Sequence, residues 1–536
     1  MPEPTAHVDT FARDNLPPRD EWPVMTFDLP ELKFPERLNA AVELLDRNVA
    51  AGNGTRPCLW FGGKAWSYAD LLDRANRIAN VLVRDLGLKP GNRVLLRAAN
   101  NPMMVACWFA VLKAGCIAVA TMPLLRAREL GYILDKARID LSLCDARLID
   151  ELVAAGARDL VAFNSDASDS LDARMARQPA TFANCDTYAH DMALIAFTSG
   201  TTGPAKGTMH FHRDVMAICD CFPRYILRPG PDDIFCGSPP LAFTFGLGGL
   251  VTFPMRFGAS TALAEKASPD LLPRIIQDNR ATIVFTAPTA YRAMRDTAPR
   301  SAFATLRQGV SAGEHLPPPI FQAWHDFTGI KLIDGLGATE MLHIFVTSAG
   351  DETRPGATGK AIPGYQAKIV DDAGRDLPDG EIGRLAVRGP TGCRYLADPE
   401  RQRKYVQHGW NLTGDAFKRD RDGYFWYQAR TDDMIVSAGY NISGPEVETV
   451  LLEHPLVREC AVVGAPDSER GMIVKAFVVL RDPRDARPET VKAMQDFVKA
   501  EIAPYKYPRA IEFIDALPRT ETGKVQRYKL RTGAAT

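Results

Sequence analysis

A chain of 536 residues exceeds what one hydrophobic core supports, so two or more domains are expected, and 46% apolar side chains suffice to fill them. The 64 lysines and arginines oppose 65 aspartates and glutamates, which excludes a global field that would recruit nucleic acid or an anionic membrane; any charged ligand must be held by local groups. Ten cysteines are scattered, and the one close pair, Cys219 and Cys221, lacks the CxxC spacing of zinc sites, so a reducing, cytoplasmic setting is expected.

The opening MPEPTAHVDTFARDNLPP has neither the apolar stretch of a secretory signal nor the arginine bias of a transit peptide. Residues 103–125, MMVACWFAVLKAGCIAVATMPLL, are apolar except for Lys113. The run Lys113-Ala114-Gly115 has the basic last turn and glycine stop of a helix, after which CIAVAT reads as a buried strand, so no stable membrane insertion is expected. Up to about residue 350 the strands RVLLRA, CIAVAT, LSLCDA, MALIAFTSG, ATIVFTAP and KLIDGLG alternate with helical segments, the pattern of helix-covered, mostly parallel sheets.

Beyond about residue 355 the pattern shortens. AKIVDDAGRDLPDGEIGRLAVRG places turn signals at Ala373-Gly374 and Asp379-Gly380, as in a small antiparallel, barrel-like unit. After about residue 434 comes a compact α+β segment: helices in PEVETVLLEH and ETVKAMQDFVKAEI, strands in ECAVVGAP, KAFVVL and AIEFID. The expected division is therefore a domain over 1–431 and a small one over 432–536.

TSGTTGPAKG, residues 198–207, follows a buried strand with glycines at 200, 203 and 207, four hydroxyls and Lys206. Glycines let backbone amides converge on an anion, hydroxyls add donors and the lysine adds charge, although a mobile turn has the same composition. The Walker A pattern fails here: counted from Gly200, Ala205 replaces its second glycine and Gly207 its Mg²⁺-binding hydroxyl. A dinucleotide fingerprint fails as well, since Gly335 and Gly337 are followed by Glu340 where the third glycine belongs. Gly309-Val310-Ser311-Ala312-Gly313 has the G-x-S-x-G spelling of an α/β hydrolase elbow, but Pro317-Pro318-Pro319 delays the helix that an elbow enters at once.

Four other clusters carry polar chemistry. DGLGATEMLHIF (334–345) sets Thr339 and Glu340 after a strand, and if a helix begins there His343 shares a face with Glu340. A carboxylate beside a phosphate loop suits Mg²⁺, as it also suits a helix cap. TGD at 413–415 offers Asp415 as a ribose acceptor or a turn aspartate, and Arg430 ends an aromatic strand. DDMIVSAGYNISGPEVE (432–448) is glycine-broken between strand and helix, and LPRTETGKVQR (517–527) holds Lys524.

In this order and spacing, TSGTTGPAKG, GATE, TGD, RTDDMIVSAGYNIS and PRTETGKVQR resemble the acyl-adenylate-forming family, over roughly residues 30–530. SAGEHLP, DGLGATEMLHIF and PPLAFTFGLGG are similar to aryl-CoA ligases of the benzoate type, and FARDNLPPRDEWP to the N-terminal extension of 2-aminobenzoate (anthranilate) CoA ligases. The resemblance implies an acid–thiol ligase using ATP, Mg²⁺ and coenzyme A on an aromatic acid, 2-aminobenzoate or benzoate. A medium-chain or alicyclic acyl-CoA synthetase is the alternative within the family. Monomer and homodimer both stay open.

Carried over by motif, Thr198, Ser199, Gly200, Thr201, Thr202, Gly203 and Lys206 would hold the β and γ phosphates. Thr339 would contact the α-phosphate, and Glu340 with Thr202 would carry Mg²⁺. Asp415 and Arg430 would hold the ribose, and Gly313 and Glu314 would wall the adenine. Asp334, Gly335, Leu336 and Gly337 would complete the nucleotide site, with Leu336 standing where the family has tyrosine. Lys524 would bridge carboxylate and α-phosphate. Rotation about a hinge at Asp432 would then replace the lysine loop by the 437–441 loop, with Gly439, Tyr440 and Asn441 at the coenzyme A tunnel. The acid pocket would comprise Phe243, Thr244, Phe245 and Gly246 on one loop, Gly337 and Ala338 on another, and His343 beneath.

Overall fold

The computed structural model describes residues 3–198, 205–430, 433–437, 440–467, 471–502, 504–520 and 523–531. Two helix-covered sheets form the larger part. In one, the strands stand in the order Leu160–Phe163, Leu141–Asp145, Arg93–Arg97, Ile117–Thr121, Met192–Phe197 and Gly207–Phe211. Neighbours are parallel except the last pair. In the other, Ile333–Gly337, Gln308–Ala312, Ile283–Thr286, Ile234–Gly237, Ser260–Ala262 and Pro57–Phe61 are parallel neighbours, with antiparallel strands at both ends. Covering both faces of a sheet demands strands that are apolar throughout, and every residue of Met192–Phe197 and Ile283–Thr286 is buried.

The membrane-like stretch is core. Asn101 caps the helix Pro102–Lys113 by accepting from the Met104 amide, Pro102 occupies its first position, and all twelve of its residues are buried. Gly115, at φ 72°, ends it, and Ile117–Thr121 enters the first sheet. Lys113 is fully buried with its Nζ 2.6 Å from Asp46 Oδ1. Among the described residues no helix is long and apolar enough to cross a membrane.

A five-stranded antiparallel sheet follows, built from Gln366–Val370, Ile382–Arg388, Val406–Gln407, Trp410–Arg419 and Phe425–Arg430. Register shifts along Trp410–Arg419 curl it, as bulges do. The last segment is a three-stranded sheet, Val457–Asp467, Gly471–Leu480 and Ala510–Phe513. Helices Gly444–Glu453 and Pro488–Glu501 close its own small core around Leu451, Val478 and Met494. The hydrolase elbow is absent: Ser311 lies buried within the strand Gln308–Ala312, and the next helix begins at Pro318.

Candidate active site

In parallel α/β sheets, ligands gather beyond the carboxyl ends of the strands. Here Thr198, Ser238, Ala287, Gly313 and Ala338 each follow such an end, and all line one cavity of about 1510 Å³. The antiparallel sheet adds Asp415 and Arg430 to its wall, and the C-terminal segment adds Lys524.

At the base of the glycine-rich loop the Thr198 amide donates to the Lys206 carbonyl (3.0 Å), and the Lys206 amide to Thr198 Oγ1 (3.3 Å). Both residues line the cavity. Ser199, Gly200, Thr201, Thr202 and Gly203 lie outside the described residues.

Thr339 and Glu340 stand in the same cavity, on a single 3-10 turn, Thr339–Met341. The condition of a helix there is not met: Leu342, at φ 69°, breaks the turn, and Ile344–Thr347 departs as a strand. His343 and Glu340 therefore share no helix face. Glu340 is buried and its Oε1 accepts from the Tyr395 phenol at 2.5 Å. Burial and the Glu340 carboxylate push the Tyr395 phenol far above its usual range, so Tyr395 is the donor. His210 Nε2 lies 2.8 Å from the Thr339 carbonyl oxygen; a carbonyl only accepts, which puts the proton on that nitrogen.

Asp415 pairs with Arg430 across the sheet, with Arg430 Nη1 3.1 Å from Asp415 Oδ1. Asp415 is thus a buried strand residue and no turn aspartate. Burial raises its pKa, while Arg430 opposes the rise. Gly313, at φ 90°, turns the chain out of its strand, and Glu314 follows with a pKa raised by burial against the pull of Arg519 and Lys524. Arg519 Nη1 is 3.6 Å from Glu314 Oε1. Lys524 stays solvent-accessible in the open cavity, yet the enclosing walls lower its ammonium pKa by desolvation, against Glu314 and Asp415. Asp334, Gly335, Leu336 and Gly337 line the same cavity. Burial raises Asp334 well above the carboxylate range.

Phe243, Thr244, Phe245, Ala338 and His343 line the cavity as a group. One expectation is corrected: the residues after Phe243 open a short helix, Thr244–Leu247, because the chain turns immediately into a buried helical run. Gly246 does not line the cavity; a Cβ there would stand 2.1 Å from the Pro240 carbonyl oxygen, so the glycine serves packing. His343 sits in an aromatic cage, with ring centroids 4.4 Å from Phe253, 5.6 Å from Phe222 and 5.7 Å from Phe245. Burial lowers the imidazole to about 3 against a smaller opposing influence of the Phe245 backbone, so the ring is neutral.

Asp432 and Gly439 fall outside the described residues, and Tyr440 and Asn441 are described only as backbone of the strand Tyr440–Ile442. Tyr395, His210 and Arg519 went unmarked in the sequence. The partners that bring them to the site, Glu340, Thr339 and Glu314, are distant along the chain, and no local spacing announces them.

The base of a glycine-rich loop, a buried carboxylate, an acid–arginine pair and a lysine from the C-terminal segment thus surround one cavity. Two family matches agree: AMP-binding enzyme over residues 46–395 and AMP-binding enzyme C-terminal domain over 446–524. The chain belongs to the AMP-binding enzyme family and is an acid–thiol ligase. It is 33% identical over 513 residues to the benzoate–CoA ligase of Thauera aromatica, covering 94% of this chain and 97% of that protein. The anthranilate CoA ligase AuaEII, solved with anthranoyl-AMP, superposes with a TM-score of 0.89 at 32% identity, over 95% of this chain and 100% of that one. A benzoate CoA ligase from Burkholderia xenovorans gives 0.84 at 30% identity, over 92% and 99%.

Proposed function

We propose that the protein is an ATP-dependent aryl-CoA ligase whose acid is 2-aminobenzoate or benzoate. A carboxylate oxygen of the acid attacks the α-phosphorus of ATP, the bond to the β-phosphate breaks, and pyrophosphate leaves. The thiol of coenzyme A, losing its proton, then attacks the carbonyl carbon of the aryl adenylate, and AMP departs. The observation that carries this reading is the aromatic cage of His343 and Phe245 in the same cavity as Thr339, Glu340 and Lys524. Flat apolar walls favour a ring over a flexible alkyl chain.

Neither half-reaction needs a side-chain nucleophile, so the protein's work is positioning and charge stabilisation. Thr198 and Lys206 hold the terminal phosphates, together with the loop between them. Thr339 contacts the α-phosphate. Asp415 accepts from the ribose hydroxyls and Arg430 steadies it. Gly313 and Glu314 form a wall for the adenine, with Leu336 as an aliphatic face. Lys524 offsets the charge that develops as the carboxylate meets the α-phosphate. The neutral His343 would present a ring nitrogen to a polar ring substituent such as an ortho amino group.

Mg²⁺ fits the donor set. Among the described residues no three or more His, Cys, Asp or Glu gather as a metal cage, so Glu340 would hold the ion together with phosphate oxygens and water, the usual environment of Mg²⁺. When bound, it neutralises phosphate charge.

We assign residues 1–431 to the adenylate-forming domain and 432–536 to a mobile domain hinged at Asp432. Rotation would withdraw Lys524 and bring the 437–441 loop, with Gly439, to the coenzyme A path. The ten unpaired cysteines support a cytoplasmic setting.

The test is pyrophosphate release with benzoate, 2-aminobenzoate, cyclohexanecarboxylate and octanoate, with and without coenzyme A. The aromatic acids should give the highest kcat/KM. Preference for octanoate would replace the aryl reading by an alkyl one.

A further inference from the structure

The segment Gly389–Leu396 forms no helix or strand, yet every one of its residues is buried. Irregular backbone is rarely buried unless its polar groups are paired; the backbone of this strap pairs with Thr26, Asn411 and Gln402, and its side chains reach the Thr339–Met341 turn. Its Thr391 hydroxyl donates to the Met341 carbonyl at 2.7 Å and lies 2.8 Å from the Tyr365 phenol, which supplies the proton for that contact. Its Tyr395 phenol donates to Glu340. Its Arg394 Nη1 bonds Asp214 Oδ2 at 2.8 Å. That carboxylate oxygen stands 3.8 Å from His210 Nδ1, and His210 Nε2 in turn holds the Thr339 carbonyl. Glu340 and Met341 are thus held directly from the strap, and Thr339 by His210, which stands beside the Arg394–Asp214 pair.

The same strap is tied to the strand that follows Lys206. The Met209 amide donates to the Arg394 carbonyl at 2.8 Å, the Leu396 amide to the Gly207 carbonyl at 2.9 Å, and Lys206 Nζ lies 5.8 Å from the Tyr395 ring centroid. Tyr395 therefore stands where the glycine-rich loop and the Glu340 turn are joined. Arg394 and Asp214 are both fully buried, which leaves the strap little freedom to move.

We infer that Tyr395 is a positioning residue: through its hydroxyl it orients the Glu340 carboxylate, and so sets how tightly the ligase holds Mg²⁺ with the ATP phosphates. The inference rests on the proposed role of Glu340. A carboxylate that accepts a fixed hydrogen bond on one oxygen presents the other at a set angle, and loss of such an outer partner weakens metal affinity by about tenfold or more.

The experiment compares the full-length protein with Tyr395→Phe by titration calorimetry of ATP at a series of Mg²⁺ concentrations, without acid or coenzyme A, alongside thermal melting. The wild type must bind ATP in a Mg²⁺-dependent way; if it does not, the proposed role of Glu340 fails and the inference falls with it. Given that, Tyr395→Phe should melt near the wild type and need about tenfold more Mg²⁺ for half-maximal ATP binding. The Mg²⁺ midpoint of pyrophosphate formation should rise in parallel. Should the phenylalanine variant fail to fold, Thr391→Val carries the same test with a smaller shift in the same direction. An unmoved Mg²⁺ midpoint in the folded variant, whether or not its melting temperature falls, overturns the inference and leaves Tyr395 a packing residue.

Discussion

A Cβ placed on Gly313 would stand 3.8 Å from the Cε of Lys524, although one residue leaves a central parallel strand and the other belongs to the last segment of the chain. The lysine reaches into the nucleotide cavity over a floor that has no side chain. Glu314, Asp415, Arg430 and Glu340 are the charged groups acting on it.

Because Lys524 is assigned to the reacting centre, its removal should separate the half-reactions. Lys524→Ala is expected to lower pyrophosphate-forming turnover by about a hundredfold or more, as does loss of a charge-stabilising donor. Conversion of supplied aryl adenylate to thioester should persist. Equal loss in both steps, measured by quenched-flow product analysis, would show that one conformation serves both.

The pH dependence follows from the same lysine. Desolvation lowers its pKa below the usual 10.5, and the proposed role of offsetting charge belongs to the protonated form. Pyrophosphate formation should therefore fall as pH rises, with a midpoint below that of an ordinary lysine. Lys524→Arg, which does not titrate below about pH 12, should be slower but lack this alkaline limb.

Asp415 is assigned to the ribose hydroxyls. The wild type should prefer ATP to 2′,3′-dideoxy-ATP by about tenfold or more in kcat/KM, the worth of hydrogen bonds to a charged acceptor. Asp415→Ala should lower kcat/KM for ATP to a similar extent and erase the preference. A variant that still discriminates would move the ribose elsewhere.

His343→Leu keeps an apolar side chain in the aromatic cage and removes both ring nitrogens. It should cost 2-aminobenzoate about tenfold in kcat/KM relative to benzoate, the value of one hydrogen bond to a buried polar group. Equal effects on the two acids would assign the imidazole to packing.

The helix Pro102–Lys113 supplies a stability test. Lys113→Ala removes the buried cation and strands the Asp46 carboxylate, which should cost about 3 kcal/mol in urea unfolding. Double replacement with Asp46→Asn should recover part of that loss.

What was legible in the sequence had local physical signals. Apolar runs such as MALIAF and IVFT marked the parallel strands, the Lys113-Ala114-Gly115 stop ended a helix that hydropathy alone would have placed in a membrane, and the ordered motifs located Glu340, Asp415 and Lys524. Ile234–Gly237 and Ser260–Ala262 were harder, being four and three residues long and defined by their neighbours. The conditional helix from Glu340 to His343 is interrupted by Leu342 at φ 69°, which no sequence pattern demands. Tyr395 was invisible because its partner is fixed by the fold alone.

The most direct measurement is the product balance of the purified protein with ATP, Mg²⁺, coenzyme A and 2-aminobenzoate or benzoate, followed by nucleotide chromatography and mass spectrometry of the thioester. The account predicts one AMP and one pyrophosphate for each aryl-CoA formed. Formation of ADP and phosphate, or of thioester without AMP, would contradict it.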